Sequence, residues 1–192
     1  CLTGCSSLLG PQEQPATSTY TLSIPRIHNV PPANKPLTLM VTTPTASSGY
    51  TSKKMIYNQL PYELSSYSRN EWAGPPAEML EPLLIQKLRD TGYFHAVVTT
   101  PFFANRELVL KTHLLELRQD FTTKPSRIIL AVQVELINNR TEHVINSHTF
   151  SCSIPTHCNT PYGGVQTANQ AANIVLDKVA HFAVESLQEV NP

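Results

Sequence analysis

Apolar residues recur at helical spacing in two stretches of the chain, and the first of these lies within Trp72–Val98. Pro75 and Pro76 suit a first helical turn, where a missing backbone N–H costs nothing. Pro82 is expected to kink the helix, and Gly92 stands where a C-terminal cap belongs. The pattern predicts a core helix that leads into a strand. Its apolar side, drawn on a helical wheel, consists of Met79, Leu80, Leu83, Leu84 and Leu88.

The second helical stretch closes the chain, over about Ala168–Val190. Thr167 and Gln170 form a candidate capping box at its start. Ile174 and Phe182 lie off the main apolar stripe, and we therefore consider them candidates for a partner interface. The stripe itself is continuous along the helix and consists of Ala168, Ala172, Val175, Leu176, Val179, Ala183, Leu187 and Val190.

Other stretches alternate between apolar and polar residues, as strands with one buried face do. The longest are Leu108–Leu117 and Ile128–Leu136, whose patterns are typical of antiparallel strands. Residues 20–192 are therefore predicted to form a single α/β (α+β) domain, with a mostly antiparallel sheet and two principal helices packed on one face. The shorter predicted strands are Tyr20–Ile24, Leu37–Thr43, Phe94–Thr99, Thr141–Cys152, and a hairpin of Met55–Asn58 with Glu63–Tyr67.

Charge and hydropathy restrict the classes of partner. The 192 residues include 14 basic and 14 acidic side chains, and 41% of the chain is hydrophobic. Because no basic stripe stands out, we expect no nucleic-acid partner. Apolar runs such as Ile128–Val132 are too short to span a bilayer, so any membrane attachment is expected to come from another feature.

The first residues supply a candidate anchor. Leu2-Thr3-Gly4-Cys5 resembles the lipobox of bacterial lipoproteins, in which the cysteine thiol carries diacylglycerol and the amino group an acyl chain such as palmitate. Cys5 is the expected lipid attachment site, and Cys1 is the alternative. Residues 1–19 then form a flexible tether rich in Pro, Gln, Ser and Thr. Neither cysteine is followed by an aspartate that would resemble an inner-membrane retention signal, so the outer membrane is expected.

Cys152 and Cys158 are the remaining cysteines. In an oxidising periplasm they are expected to form a disulfide, whose short loop would add only about 2 kcal/mol by loop closure. Two free thiols are one alternative. A metal site that adds His157 is another, although no fourth ligand is evident.

Enzymatic chemistry finds little support in the sequence. The seven histidines are scattered, and no Ser–His–Asp or Cys–His arrangement has local support. No GxxxxGK[ST] loop is present to bind phosphate. We therefore expect no catalytic residues, no cofactor and no resident metal. Tyr67 and Trp72 are candidates for a partner or lipid contact, with packing at the helix entry as the alternative for Trp72.

The chain resembles the auxiliary lipoprotein component of ABC-type transport systems, a family that includes lipoproteins that partner MCE-domain proteins of the paraquat-inducible type. The likeness covers nearly the whole chain and is densest from about residue 55 to residue 95. It is carried by the lipobox-like start, the alanine-rich last helix, and Tyr20-Thr21-Leu22, Ile56-Tyr57, Tyr67…Trp72-Ala73…Pro75-Pro76…Met79-Leu80 and Gly92-Tyr93-Phe94.

The resemblance implies a non-enzymatic lipoprotein that faces the periplasm from the outer membrane. It would dock the MCE component of an envelope lipid transport system, and it would form homo-oligomers as ring-forming members do. Two other functions remain open at this point. One is a structural or assembly lipoprotein of an outer-membrane complex. The other is a lipid-carrying lipoprotein, which would need a wide apolar cavity between sheet and helices.

The lipid attachment site can be tested directly. Tandem mass spectrometry of the N-terminal peptide from membrane-extracted protein should place the diacylglycerol thioether on Cys5, because the small residues before it fit the lipobox. A thioether on Cys1 would support the alternative, and an unmodified peptide would contradict both.

Overall fold

The computed structural model describes residues 16–25, 33, 35–101 and 106–190, so Cys1, Cys5 and most of the predicted tether lie outside the described residues. Within this part of the chain, nine strands form one sheet and two long helices pack on it. The elements are β1 (Ser18–Tyr20), β2 (Lys35–Val41), β3 (Thr45–Ala46), β4 (Lys54–Asn58), β5 (Ser65–Trp72), α1 (Pro76–Asp90), β6 (Phe94–Thr99), β7 (Leu108–Asp120), β8 (Arg127–Asn138), β9 (His143–Pro155) and α2 (Pro161–Val190).

Strand β7 organises the sheet. It is 13 residues long, and β8 runs antiparallel to it along one edge. Three short strands share the other edge, all parallel to β7: β2 beside Leu108–Leu110, β3 beside His113 and Leu114, and β4 beside Arg118–Asp120. Strand β2 continues into β6, and β4 continues through β5 to β1. The sheet therefore branches from one edge of β7.

The prediction of a mostly antiparallel sheet is wrong, because the sheet is mixed. Alternation along a strand shows which face is buried, but it does not show in which direction the neighbouring strand runs. The antiparallel part consists of the β4–β5 hairpin and the β7–β8–β9 meander. The predicted hairpin and the strand Phe94–Thr99 are confirmed. The first strand is Ser18–Tyr20 rather than Tyr20–Ile24.

Helix α1 matches its sequence pattern closely. It starts after Pro75, with Pro76 in its first turn, and it continues through Pro82 to Asp90. Gly92 follows with a φ of 61°, and its N–H donates to the carbonyl of Arg89 at 3.0 Å. A left-handed residue after the last turn is the usual glycine stop signal.

Helix α2 begins at Pro161 rather than at Ala168, and the predicted capping box is wrong. Thr160 caps the helix, because its hydroxyl accepts a hydrogen bond from the N–H of Gly163 at 3.1 Å. Thr167 lies inside the helix and donates to the carbonyl of Gly163 at 3.0 Å. The glycine pair at 163 and 164 has low helix propensity, which concealed the first two turns in the sequence.

Both helices pack against the apolar face of the sheet and against each other. Lys87 of α1 is only 8% exposed, and its Nζ lies 2.7 Å from the Asp177 carboxylate of α2. A buried ammonium needs such a partner, so this ion pair links the two helices. Among the described residues, no helix combines the length and the hydropathy needed to cross a membrane. The fully buried core includes Leu39, Leu84, Leu88, Leu110, Leu114, Leu130, Leu136, Val175 and Leu176.

Close packing at the start of α2 can be tested by Gly163→Ala. A Cβ at this position would lie 2.3 Å from the carbonyl oxygen of Cys158, and backbone can move only at a cost. We expect the free energy of unfolding to fall by about 1–3 kcal/mol in urea denaturation. Gly74→Ala is the matched control, because a Cβ there meets no atom within 4 Å. Equal stabilities for the two variants would contradict the packing described.

Candidate functional site

Tyr67 and Trp72 do not form an exposed patch. Trp72 ends β5 opposite Tyr20 and is 3% exposed, so it packs in the core and offers no surface to a partner. Tyr67 is half-buried beside it. The two side chains border a small cavity of about 10 Å³ between the sheet and the first turn of α2. This volume is about enough for one water molecule.

A chain of buried hydrogen bonds fills the space beside that cavity. The Tyr67 hydroxyl donates to Oε1 of Gln119 at 2.9 Å, and Nε2 of Gln119 donates to the Ser126 hydroxyl at 2.9 Å. The hydroxyls of Ser126 and Thr156 lie 2.7 Å apart. Burial, with a smaller contribution from Tyr57, raises the pKa of Tyr67 well above its ordinary value. Tyr67 is therefore a neutral structural donor.

Ile174 and Phe182 do come together, in an open groove between α2 and β9. This α2–β9 groove has a volume of about 620 Å³. Ile174 is 40% exposed, whereas Phe182 is 9% exposed and forms part of the floor. The ring of Phe150 meets Phe182 edge-on, with centroids 5.6 Å apart, and the tilted ring of His148 lies 4.5 Å from that of Phe150. Sequence reasoning missed Phe150 and His148, because only the β8–β9 register places them opposite the helix.

The margins of the α2–β9 groove are charged. Asp177, which pairs with Lys87, lies on the helix side together with Lys178 and Glu185. His181 donates from Nδ1 to the carbonyl of Asp177 at 2.7 Å, which leaves Nε2 for a further hydrogen bond. An apolar floor with polar margins is the usual anatomy of a protein-binding surface.

Strand β9 adds a second feature to this margin. It pairs with β8 along one edge, and within the described ranges no strand pairs with its other edge. Ser147, Thr149, Ser151 and Ser153 alternate along the outward face of β9. These polar side chains make the edge strand less prone to aggregation. The free backbone groups of a 13-residue strand therefore lie beside the groove.

The structure has two free thiols in place of the predicted Cys152–Cys158 disulfide. Cys152 lies on the inner face of β9, where its Sγ is 3.9 Å from the carbonyl oxygen of Ala171 in α2. Cys158 is exposed in the loop that leads to α2. Because one thiol points into the core and the other to solvent, the short spacing does not bring them together. In the described part of the chain, no cluster of three His, Cys, Asp or Glu residues is placed to hold a metal.

Comparisons with known proteins agree with the fold and the sequence pattern. A family model described as ABC-type transport auxiliary lipoprotein component matches residues 20–180. A crystal structure of a protein from Xanthomonas campestris is similar, with a TM-score of 0.80 and 19% identity over 90% of this chain and 98% of that one. A crystal structure of an uncharacterised protein has a TM-score of 0.69 and 15% identity over 88% and 98%.

A third solved structure is more distant. The putative neuraminyllactose-binding hemagglutinin homologue from Helicobacter pylori has a TM-score of 0.51 and 14% identity over 89% of this chain and 98% of that one. At these identities the three structures support the fold alone. A comparison with curated proteins gave no match.

The state of the two thiols can be tested by alkylation with and without reductant. In folded reduced protein we expect Cys158 to react first, because it is exposed. Burial raises the pKa of Cys152, so fewer thiolates are present at neutral pH, and its reaction should accelerate as the pH rises. Alkylation of both Cys152 and Cys158 without reductant, located by peptide mapping, would confirm the arrangement. Peptides of Cys152 and Cys158 that stay unmodified until reduction would instead show the disulfide expected from the sequence.

Proposed function

Because the chain belongs to the family of ABC-type transport auxiliary lipoprotein components, we propose that it docks the MCE component of an envelope lipid transport system at the outer membrane. The observation that carries the proposal is the family match over residues 20–180, behind a lipobox-like start. In this role the protein faces the periplasm on its lipid anchor. It contributes binding surface rather than chemistry.

The α2–β9 groove is the proposed docking face. Ile174 is an apolar side chain on an exposed helix face, and Phe150 and Phe182 provide an aromatic floor. A few side chains that become fully desolvated on binding contribute most of the binding energy at interfaces. The free edge of β9 suits added main-chain hydrogen bonds, either with the transporter component or with a second copy of this chain.

Lipid carriage inside the domain is less well supported. A carrier would need an apolar cavity between sheet and helices, and ligand pockets usually measure about 300–1,000 Å³. The space beside Trp72 is about 10 Å³, and the Gln119 hydrogen bonds cross the same region. The docking role requires no such cavity.

Docking predicts that the lipidated protein co-purifies with an MCE-domain protein from crosslinked envelopes. The control bait carries residues 1–19 fused to an unrelated periplasmic domain, so that it shares the anchor but not the folded domain. Absence of any MCE-domain protein, or equal recovery with the control bait, would contradict the proposal.

A variant pair tests the docking face itself. Ile174→Asp places a charge in the groove and should lower MCE recovery about tenfold, the effect of losing a strong interface contact. Gln166→Asp adds the same charge on the same helix, about 12 Å away along its axis, and should leave recovery unchanged. Equal recovery of the MCE-domain protein with both variants would show that the α2–β9 groove is not the docking face. The docking function itself would then rest on the co-purification experiment.

A further inference from the structure

The loop between β4 and β5 presents apolar side chains to solvent. Leu60 is 66% exposed, Tyr62 is 107% exposed and Leu64 is 53% exposed. Single exposed apolar residues are normal on a protein surface, whereas a group of three within five consecutive residues is a candidate contact site. The loop lies on the β7 face opposite the helices, since Glu116, Arg118 and Asp120 alternate there with the inward Leu117 and Gln119.

The backbone holds Tyr62 in a conformation that aromatic residues avoid. Its φ is 66°, in the left-handed region where the side chain crowds the following carbonyl. Because the ring is fully exposed, it contributes no packing that would offset this strain. A strained backbone at a solvent-facing aromatic residue is an outlier that motivates a functional hypothesis.

A groove with a volume of about 610 Å³ lies beside the loop, and we call it the hairpin groove. Its charged lining consists of three carboxylates, on Glu63, Glu116 and Asp120, and one guanidinium, on Arg118. Arg118 pairs with carboxylates that line the groove. Its Nε donates to Glu116 at 2.9 Å, and its Nη1 contacts Asn58 and lies 3.8 Å from the Asp120 carboxylate.

The Asp120 carboxylate stays ionised at neutral pH. Burial raises the pKa of Asp120, but hydrogen bonds from Thr122 and Asn58 and the nearby Arg118 outweigh this effect and hold the pKa below its ordinary value. The groove therefore combines an apolar margin, formed by the loop, with a net negative interior.

We propose that the hairpin groove binds a protein segment in which a lysine or arginine is flanked by apolar residues. The apolar neighbours of that residue contact Leu60, Tyr62 and Leu64, while its cationic group enters the groove and meets the carboxylates. An anionic bilayer surface fits less well, because the groove carries the same sign of charge. The inference does not depend on the docking role of the α2–β9 groove.

The test uses a photo-crosslinking amino acid at Leu60 in the lipidated protein within its native envelope. Val144 is the control position, because it is also an exposed apolar residue, at 54%, but lies in another hairpin. Sequencing of the partner peptide joined to residue 60 should find a lysine or arginine that has apolar neighbours. A lipid adduct, an acidic or uncharged segment, or a yield no higher than at Val144 would overturn the proposal.

Two variants in the same background separate recognition from folding. Tyr62→Gly removes the ring and relieves the left-handed strain, so the fold should be at least as stable while the crosslink yield falls about tenfold. Glu63→Gln keeps the acceptor for the Ser65 hydroxyl and removes one negative charge, so the crosslink yield should fall and should depend less on salt concentration.

An unchanged crosslink yield in both variants would overturn the proposal. A basic segment from a protein outside any transport system would support it and would leave the MCE question to its own test.

Discussion

The hydrogen-bond ladder of β7 is the constraint on which the rest of the fold depends. A buried 13-residue strand must satisfy its backbone groups along both edges. Strand β8 does this alone on one side, whereas β2, β3 and β4 divide the other side between them. The short strands come from different parts of the chain. The strands that pair with β2 and with β4 therefore lie at different positions along β7.

This division separates the surfaces of the protein. Strand β2 brings β6 and α1 to the first end of β7, and β4 brings β5, β1 and the exposed loop to the other end. Helix α2 spans β8 and β9 on the helix face. The α2–β9 groove and the hairpin groove therefore lie on opposite faces of one sheet, with the buried Gln119 network between the layers. Among the described residues, the two grooves have no lining residue in common.

The sequence predicted those elements whose burial is periodic. Leucine spacing located α1, and alternation located β7 and β8, since both patterns follow directly from the backbone geometry. Prediction from the sequence failed where the role of a residue depends on contacts with residues far away in the chain. Gly163 and Gly164 are poor helix formers, yet they are needed in α2 because Cys158 and Gln119 approach them closely. Strand direction and the two-residue β3 depend on pairing partners far away in the chain. For the candidate sites, Ile174 stood out from the helical stripe, but Phe150 and the loop around Tyr62 needed the three-dimensional arrangement.

The polar chain from Tyr67 through Gln119 and Ser126 to Thr156 fills part of the space between the sheet and helix α2. Any widening between sheet and helices would break several buried hydrogen bonds together and leave their donors without water. A single copy of this domain therefore resists opening between its sheet and its helices. If a hydrophobic molecule crosses the envelope with its help, the conduit must be enclosed by outer surfaces, shared among several subunits or with a partner.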